Sequence, residues 1–254
     1  VGVAASVNGL VAGPKDDGKP CAGNVSSGTG HVTCARNLMV PADAKLTAAH
    51  FRNGPVGARY VFDPDVPFGL PFRPTPYTAT FTLTIENTPI EMTVPIEARS
   101  EGNIFSGEKR SEIHVVPAFA VTTSPEIVVV STAAPQTRDV RVTVTNHASG
   151  AAAGDVALNL PAGWRATPAT QPVKFSREDE SITVRFTLQP PDAGVLAAAA
   201  LKPGGNQFVL RATVTSAGKT FAQGYQVVEY PHTARRNVHV DPAVAVKAID
   251  VRVR

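Results

Sequence analysis

The stretch TATFTLTIENTPIEMTVPIEA, Thr78–Ala98, decides the fold class. Phe81, Leu83 and Ile85 alternate with Thr80, Thr82 and Thr84. After a short turn at Asn87–Pro89, Ile90, Met92, Val94 and Ile96 alternate with Glu91, Thr93, Pro95 and Glu97. A period of two on both sides of a turn predicts a β-hairpin with one buried face, because successive strand side chains point to opposite faces. Pro95 has no N–H for a ladder, which places the second strand at an edge or at a bulge.

The same period recurs from Ala118 onward. Val140, Val142 and Val144 form one run, and Val156, Leu158 and Leu160 another. Ile182, Val184, Phe186 and Leu188 form a third, and Phe208, Leu210, Ala212 and Val214 a fourth. Each run has one apolar and one polar face, with Pro, Gly or Asn between runs, which predicts an antiparallel sandwich of immunoglobulin type. In AVAVKAIDVRVR, Val244 and Val246 share one phase while Ile249, Val251 and Val253 share the other. That change of parity predicts a bulge or a strand crossing between sheets. Only Val195–Gly205 has helical composition, and it reads as a loop. The expected fold is all-β: two consecutive antiparallel β-sandwich domains, residues 1–117 and 118–254, the second immunoglobulin-like. Pro117 marks the boundary.

Composition agrees. The 254 residues are 43% hydrophobic and 18% charged, with 22 prolines and 20 glycines spread between short β-rich runs. This suits globular, turn-rich domains. A formal charge of +3 with scattered Lys and Arg gives no basic face, so no nucleic-acid partner is expected. No apolar run approaches the roughly 20 residues of a membrane helix, so no membrane span is expected. Without a signal peptide or an initiator Met at Val1, the chain reads as a mature or excised piece.

Cys21 and Cys34, the two cysteines, flank the Gly/Ser-rich segment AGNVSSGTGHVT. They read as a disulfide closing a loop, and with it a secreted or periplasmic location. Two free thiols would be the alternative; a metal site lacks the ligand spacing, with only His31 nearby.

Chemistry-bearing patterns are sparse. His31, His50, His114, His147, His232 and His239 include no pair at a spacing that unites two ligands on one element. There is no Gly-x-Ser-x-Gly elbow. Asp63 and Asp65 fit a calcium ligand pair or, with two prolines nearby, a rigid solvated turn. Glu178, Asp179 and Glu180 read as an exposed acidic turn. In GYQVVEYPHT, Pro231 ends a strand. Tyr230 and His232 then form a structural corner, bonding a loose backbone group, or His232 is a catalytic base or metal ligand at the strand end; the corner is the expectation. No cofactor and no catalytic or metal residue is expected.

Several segments in order, ARYVFDPDVPFGLPFRPTPYTATFTLTI, the hairpin, SGEKRSEIHVVPAFAV, LPAGW, and GYQVVEYPHT followed by AIDVRV, resemble the β-sandwich region of long bacterial PIG-L (LmbE-like) deacetylases. The resemblance spans roughly Arg59 to Val253. It implies a neighbouring zinc-dependent catalytic domain with an Ala-His-Pro-Asp-Asp type motif. The nearest segment here, His239-Val240-Asp241-Pro242, lacks both the Pro and the second Asp, and Pro231-His232 is reversed. The resemblance therefore implies a non-catalytic accessory segment that positions the enzyme or binds a glycan or cell-surface polymer. Aromatic faces are the usual grip on sugar rings, and the candidates are Tyr60, Phe68, Phe72, Tyr77 and Trp164. Trp164 reads as a core plug or an exposed platform, and the run PFGLPFRPTPY as a surface patch or an interdomain filler. The rival readings are a structural surface subunit, such as an adhesin or filament component, and a zinc-dependent N-acetyl-sugar deacetylase.

Overall fold

A computed structural model describes residues 1–24, 30–54, 59–101, 107–230 and 235–250. The chain is nearly all β and divides into two compact units. The first holds Val1–Val115 and Val228–Arg236; the second holds Val116–Val227 and Asn237–Arg254.

The first unit contains β1 (Gly2–Asn8), β2 (Val11–Ala12), β3 (Cys21–Asn24), β4 (Leu38–Met39) and β5 (Phe51–Asn53). It continues with β6 (Tyr60–Phe62), β7 (Thr78–Ile85), β8 (Thr88–Pro95), β9 (Glu97–Glu101) and β10 (Glu108–Glu112). The main sheet runs β3-β1-β7-β8, and ribbons β2–β4, β5–β6 and β9–β10 accompany it. The hairpin β7–β8 pairs Phe81 with Met92 and Leu83 with Ile90, so the apolar residues share one face. On the other face the hydroxyls of Thr80 and Thr93 meet at 2.9 Å. The turn is Glu86–Asn87, earlier than the expected Asn87–Pro89. Both residues have positive φ, 47° and 67°, as a two-residue type I′ connection requires. β8 is the outer strand, as Pro95 implied. The expected buried face is only half-covered: no residue of β1, β3, β7 or β8 is buried, and Ile85, Ile90 and Met92 stay exposed on the open side. A disulfide joins Cys21 to Cys34, whose Cα atoms lie 5.7 Å apart.

The second unit begins with β11 (Phe119–Ser124), β12 (Ile127–Ser131), β13 (Arg138–Asn146), β14 (Ala152–Asn159), β15 (Arg165–Thr167) and β16 (Thr170–Phe175). It continues with β17 (Ser181–Gln189), α1 (Ala193–Ala200), β18 (Gln207–Ser216), β19 (Lys219–Phe221), β20 (Gly224–Val228), β21 (Arg236–Val240) and β22 (Ala243–Ile249), with the strand-end residues Val228 and Arg236 counted in the first unit. One sheet runs β11-β13-β17-β15; the other runs β12-β22-β18-β14-β16, with β19 on β18. Within these two sheets the described strand pairs are antiparallel except β12–β22, which is parallel. This is an immunoglobulin-like sandwich.

Its core comes from the alternating residues. Val140, Val142 and Val144 pair across strands with Phe186, Val184 and Ile182, facing Leu210, Ala212, Val214, Val244 and Val246 in the same cluster. Each fully buried Val, Leu or Phe among them contributes about 1.5–3 kcal/mol. On the outer face, Thr143 and Thr183 bond hydroxyl to hydroxyl at 2.8 Å, as do Thr145 and Ser181. Asp139 accepts from Arg185 and, at 2.9 Å, from Thr187. Arg185 first, then Thr187, hold its carboxyl below the usual range.

Two expectations change here. The segment expected to be a loop contains α1, and its Leu196 is fully buried in the core. Its alanines favour helix, while one leucine plugs the sandwich. The parity change at the last strand does not interrupt it: Ala248 follows Val244 and Val246 into the core, and β22 ends at Ile249. A small residue thus carried the inward phase. Val251 and Val253 lie outside the described residues.

Substituting Phe186→Ala removes a fully buried ring and is expected to lower the unfolding free energy by about 3–5 kcal/mol. Urea titration followed by the emission of Trp164, the single tryptophan, measures it.

Candidate functional site

In the first unit, β5 and β6 pair Phe51 with Phe62 and Asn53 with Tyr60. Alternation then puts Phe51, Tyr60 and Phe62 on one face of a short ribbon. Their rings form a chain. Tyr60 meets Phe51 at 5.3 Å between centroids, Phe51 meets Phe62 at 6.0 Å, and Phe62 meets Phe68 at 5.8 Å. The first and last of these contacts are edge-to-face, the geometry favoured by ring quadrupoles. His50 is buried and touches both Phe51 and Phe62 at 5.5 and 5.8 Å. The four outer rings remain open to solvent: Phe51 is 41% exposed, Phe62 43%, Tyr60 58% and Phe68 89%.

Charges hold the turn that follows. Arg73 donates to Asp63 and, at 2.6 Å, to Asp65, while Arg52 reaches Asp63 at 3.3 Å. Arg73 keeps the Asp65 carboxyl below its ordinary range. The two carboxylates are therefore engaged by a guanidinium, which matches a rigid ion-paired turn. Among the described residues, no three His, Cys, Asp or Glu side chains gather as a metal would need.

The other predicted aromatics take different places. The guanidinium of Arg236 lies over the Phe72 ring, 4.3 Å from its centroid, so one face of that ring is occupied by a cation. Tyr77 is buried, 3% exposed, and burial raises its phenol pKa. Its backbone accepts from Ile96 N at 2.9 Å, so it anchors the hairpin and is no surface platform. Trp164 is also buried and packs on Phe208 at 5.4 Å in the second unit, which makes it a core plug. Phe51 and Phe62 were missed: Phe-x-Asn and Tyr-x-Phe are strands of three residues, too short for a period to register.

Of the expected structural corner, Tyr230 alone lies among the described residues. Tyr230 is exposed, and Pro231 and His232 lie outside the described residues. Five residues earlier, the Tyr225 hydroxyl lies 2.8 Å from His147 Nε2, and His147 Nδ1 lies 2.8 Å from Asp179 Oδ1. This chain joins β20 to the end of β13 and to the acidic turn. Beside it, Asn146 is buried and fully bonded. Its Nδ2 donates to the carbonyls of Gly150 and Arg177, both at 3.0 Å, and its Oδ1 accepts from Ala148 N. Gly224 lets β20 approach closely, for a Cβ there would lie 2.1 Å from the Val121 carbonyl oxygen. On the outer face of the six-stranded sheet, Ile127, Val209 and Ala245 floor an open groove of about 690 Å³, rimmed by the Arg211–Asp241 ion pair.

No family model matches the chain, and no curated protein matches it. Among similar solved structures is WR4, a C. elegans MSP family member, at 9% identity over 51% of this chain and 97% of its own, with a TM-score of 0.24. Another is the ASH/PapD-like domain of human CEP192 (PapD-like domain 7), at 10% identity over 56% of this chain and 94% of its own, with a TM-score of 0.28. At these scores neither carries a functional reading. Among the described residues, no helix is long and apolar enough to cross a membrane.

Two outcomes follow. Tyr225→Phe removes the hydroxyl at His147 and is expected to cost about 1 kcal/mol, read by the same urea titration. In the first unit, burial, then Arg236, lower the His114 pKa. The unfolded chain takes up that proton near its ordinary pKa of about 6.5, and the fold resists it. Stability is thus complete above that pH and declines as the pH falls below it. Thermal unfolding between neutral and mildly acidic pH should show the decline, and His114→Gln should flatten it.

Proposed function

We propose that this chain is a non-catalytic accessory segment of a secreted PIG-L-like deacetylase, and that its first unit grips a glycan or cell-surface polymer. One observation carries the second part: four solvent-open rings, Tyr60, Phe51, Phe62 and Phe68, arranged in a row over a buried histidine. A pyranose offers a flat C–H face, and covering it with aromatic surface gains about 25 cal/mol per Å² removed from water. Rings already packed on one another lose little freedom on binding. Arg52 on β5 and Arg73 both pair with Asp63 beside the rings and supply donors and acceptors for equatorial hydroxyls.

The second unit acts in this reading as a rigid spacer, its polar corner residues spent on one another. The Cys21–Cys34 disulfide supports an oxidising compartment. The order of motifs along the chain supports the PIG-L-like parent, with the catalytic domain as the neighbouring partner.

A glycan array followed by calorimetry on the best ligand tests the reading. Tyr60→Ala with Phe68→Ala is expected to weaken binding at least about tenfold, the equivalent of 1.4 kcal/mol, and to leave Trp164 emission unchanged. Undiminished binding by the double variant, or no glycan bound by the parent chain, would sink the aromatic grip. Chelator-sensitive release of acetate from acetylated sugars by the purified chain would sink the non-catalytic assignment.

A further inference from the structure

The sandwich of the second unit has four outer strands, and three are blunted. β15 is three residues long and carries Arg165. β16 carries Pro172 and Lys174. β11 is met along its edge by the backbone, with Val121 N donating to Gln223 O at 2.9 Å. Short strands, proline, lysine and cover by a loop are the recognised ways in which sheets avoid unwanted pairing. β12, Ile127-Val128-Val129-Val130-Ser131, has no charge and no proline, and among the described strands it is bonded on one side, to β22.

The bonding pattern says which groups of β12 face outward. Ala245 N donates to Glu126 O, and Thr132 N donates to Ile249 O. The even-numbered residues therefore turn their backbone groups to β22. By alternation, the N–H and C=O groups of Ile127, Val129 and Ser131 face the free edge. Among the described residues, Arg138 reaches them, its Nε donating to the Val129 carbonyl at 3.1 Å. Ile127 and Val129 also expose their side chains on the outer face, at 57% and 43%. Their row continues through Ala245 to Val209.

We propose that β12 pairs with β12 of a second copy of this chain, antiparallel about a two-fold axis through Val129. That register closes on itself. Val129 meets Val129 of the second copy, and Ile127 meets Ser131 in both directions, so every outward N–H finds an outward carbonyl. No like charges are opposed, because the strand has none. The two six-stranded sheets become one continuous sheet, and the apolar rows of Ile127 and Val129 meet across the axis. Arg138 is the gate, since its guanidinium must leave the Val129 carbonyl before that acceptor can take a partner's N–H. An isologous contact of one short strand per copy lies below the standard interface size, so the dimer is weak and concentration-dependent.

Sedimentation velocity and light scattering across a dilution series up to about 1 mM, the range of weak association, provide the test. The parent chain is expected to pass from monomer to dimer. Val129→Pro removes an outward N–H without removing a bond to β22, and is expected to raise the dissociation constant at least about tenfold. Arg138→Ala opens the gate and is expected to lower it. Trp164 emission reports that both variants keep the sandwich, and Arg138→Ala alone decides the matter if Val129→Pro does not fold. A chain monomeric throughout the series would overturn the proposal, as would a dimer insensitive to Val129→Pro or weakened by Arg138→Ala.

Discussion

Pairing of Val140, Val142 and Val144 with Phe186, Val184 and Ile182 fixes which face of the β13–β17 ladder looks inward. A slip of one residue would turn the valines to water and bring Thr143, Thr145 and Arg141 into the core. The second sheet answers with Leu210, Ala212, Val214, Val244 and Val246, and Trp164 and Leu196 fill the space left at the ends. The Tyr225–His147–Asp179 chain and the bonds of Asn146 gain their geometry from that core. They tie loops whose positions the inner faces have already set.

The two units illustrate opposite uses of aromatic residues. In the second, Phe119, Phe175, Phe186 and Trp164 are buried, and the exposed large apolar residues, such as Ile127, Leu201 and Val209, are aliphatic. In the first, Val66 and Tyr77 are the buried apolar residues among those described, while Phe51, Tyr60, Phe62 and Phe68 remain at the surface in mutual contact. Ring–ring contacts add about 0.5–1.5 kcal/mol each beyond area, so such a row holds its shape while keeping its faces available. A monomer seldom leaves a contiguous apolar patch in water without use for it.

Long runs of period two were legible, because burial of one face repeats often enough to stand out in Val140–Val144 or Ile182–Leu188. The all-β class and the immunoglobulin-like sandwich were legible in this way, and the Cys21–Cys34 bridge was legible from two cysteines flanking a Gly/Ser-rich loop. What escaped depends on contacts distant in the chain. Leu196 is one apolar residue in an alanine-rich segment, and nothing local says that it enters a core. Tyr225 and Tyr230 both lie in or beside the same short strand. That Tyr225 meets His147, 78 residues away, is a contact no local pattern announces. Tyr77 and Phe68 looked alike as aromatics near prolines, yet one is buried and the other is almost fully open. Phe51 and Phe62 became visible as a site only when two three-residue strands were paired.

The first unit is discontinuous in the chain: residues 228–236 belong to it, although the whole of 116–227 intervenes. Synthesis runs from the amino end at about 5–20 residues per second, and domains ordinarily complete themselves in that order. Here the order is reversed in part. The amino-terminal unit cannot be finished on the ribosome until the strands from β11 through β20 have emerged, so the sandwich is available to fold while its predecessor still waits for its last segment.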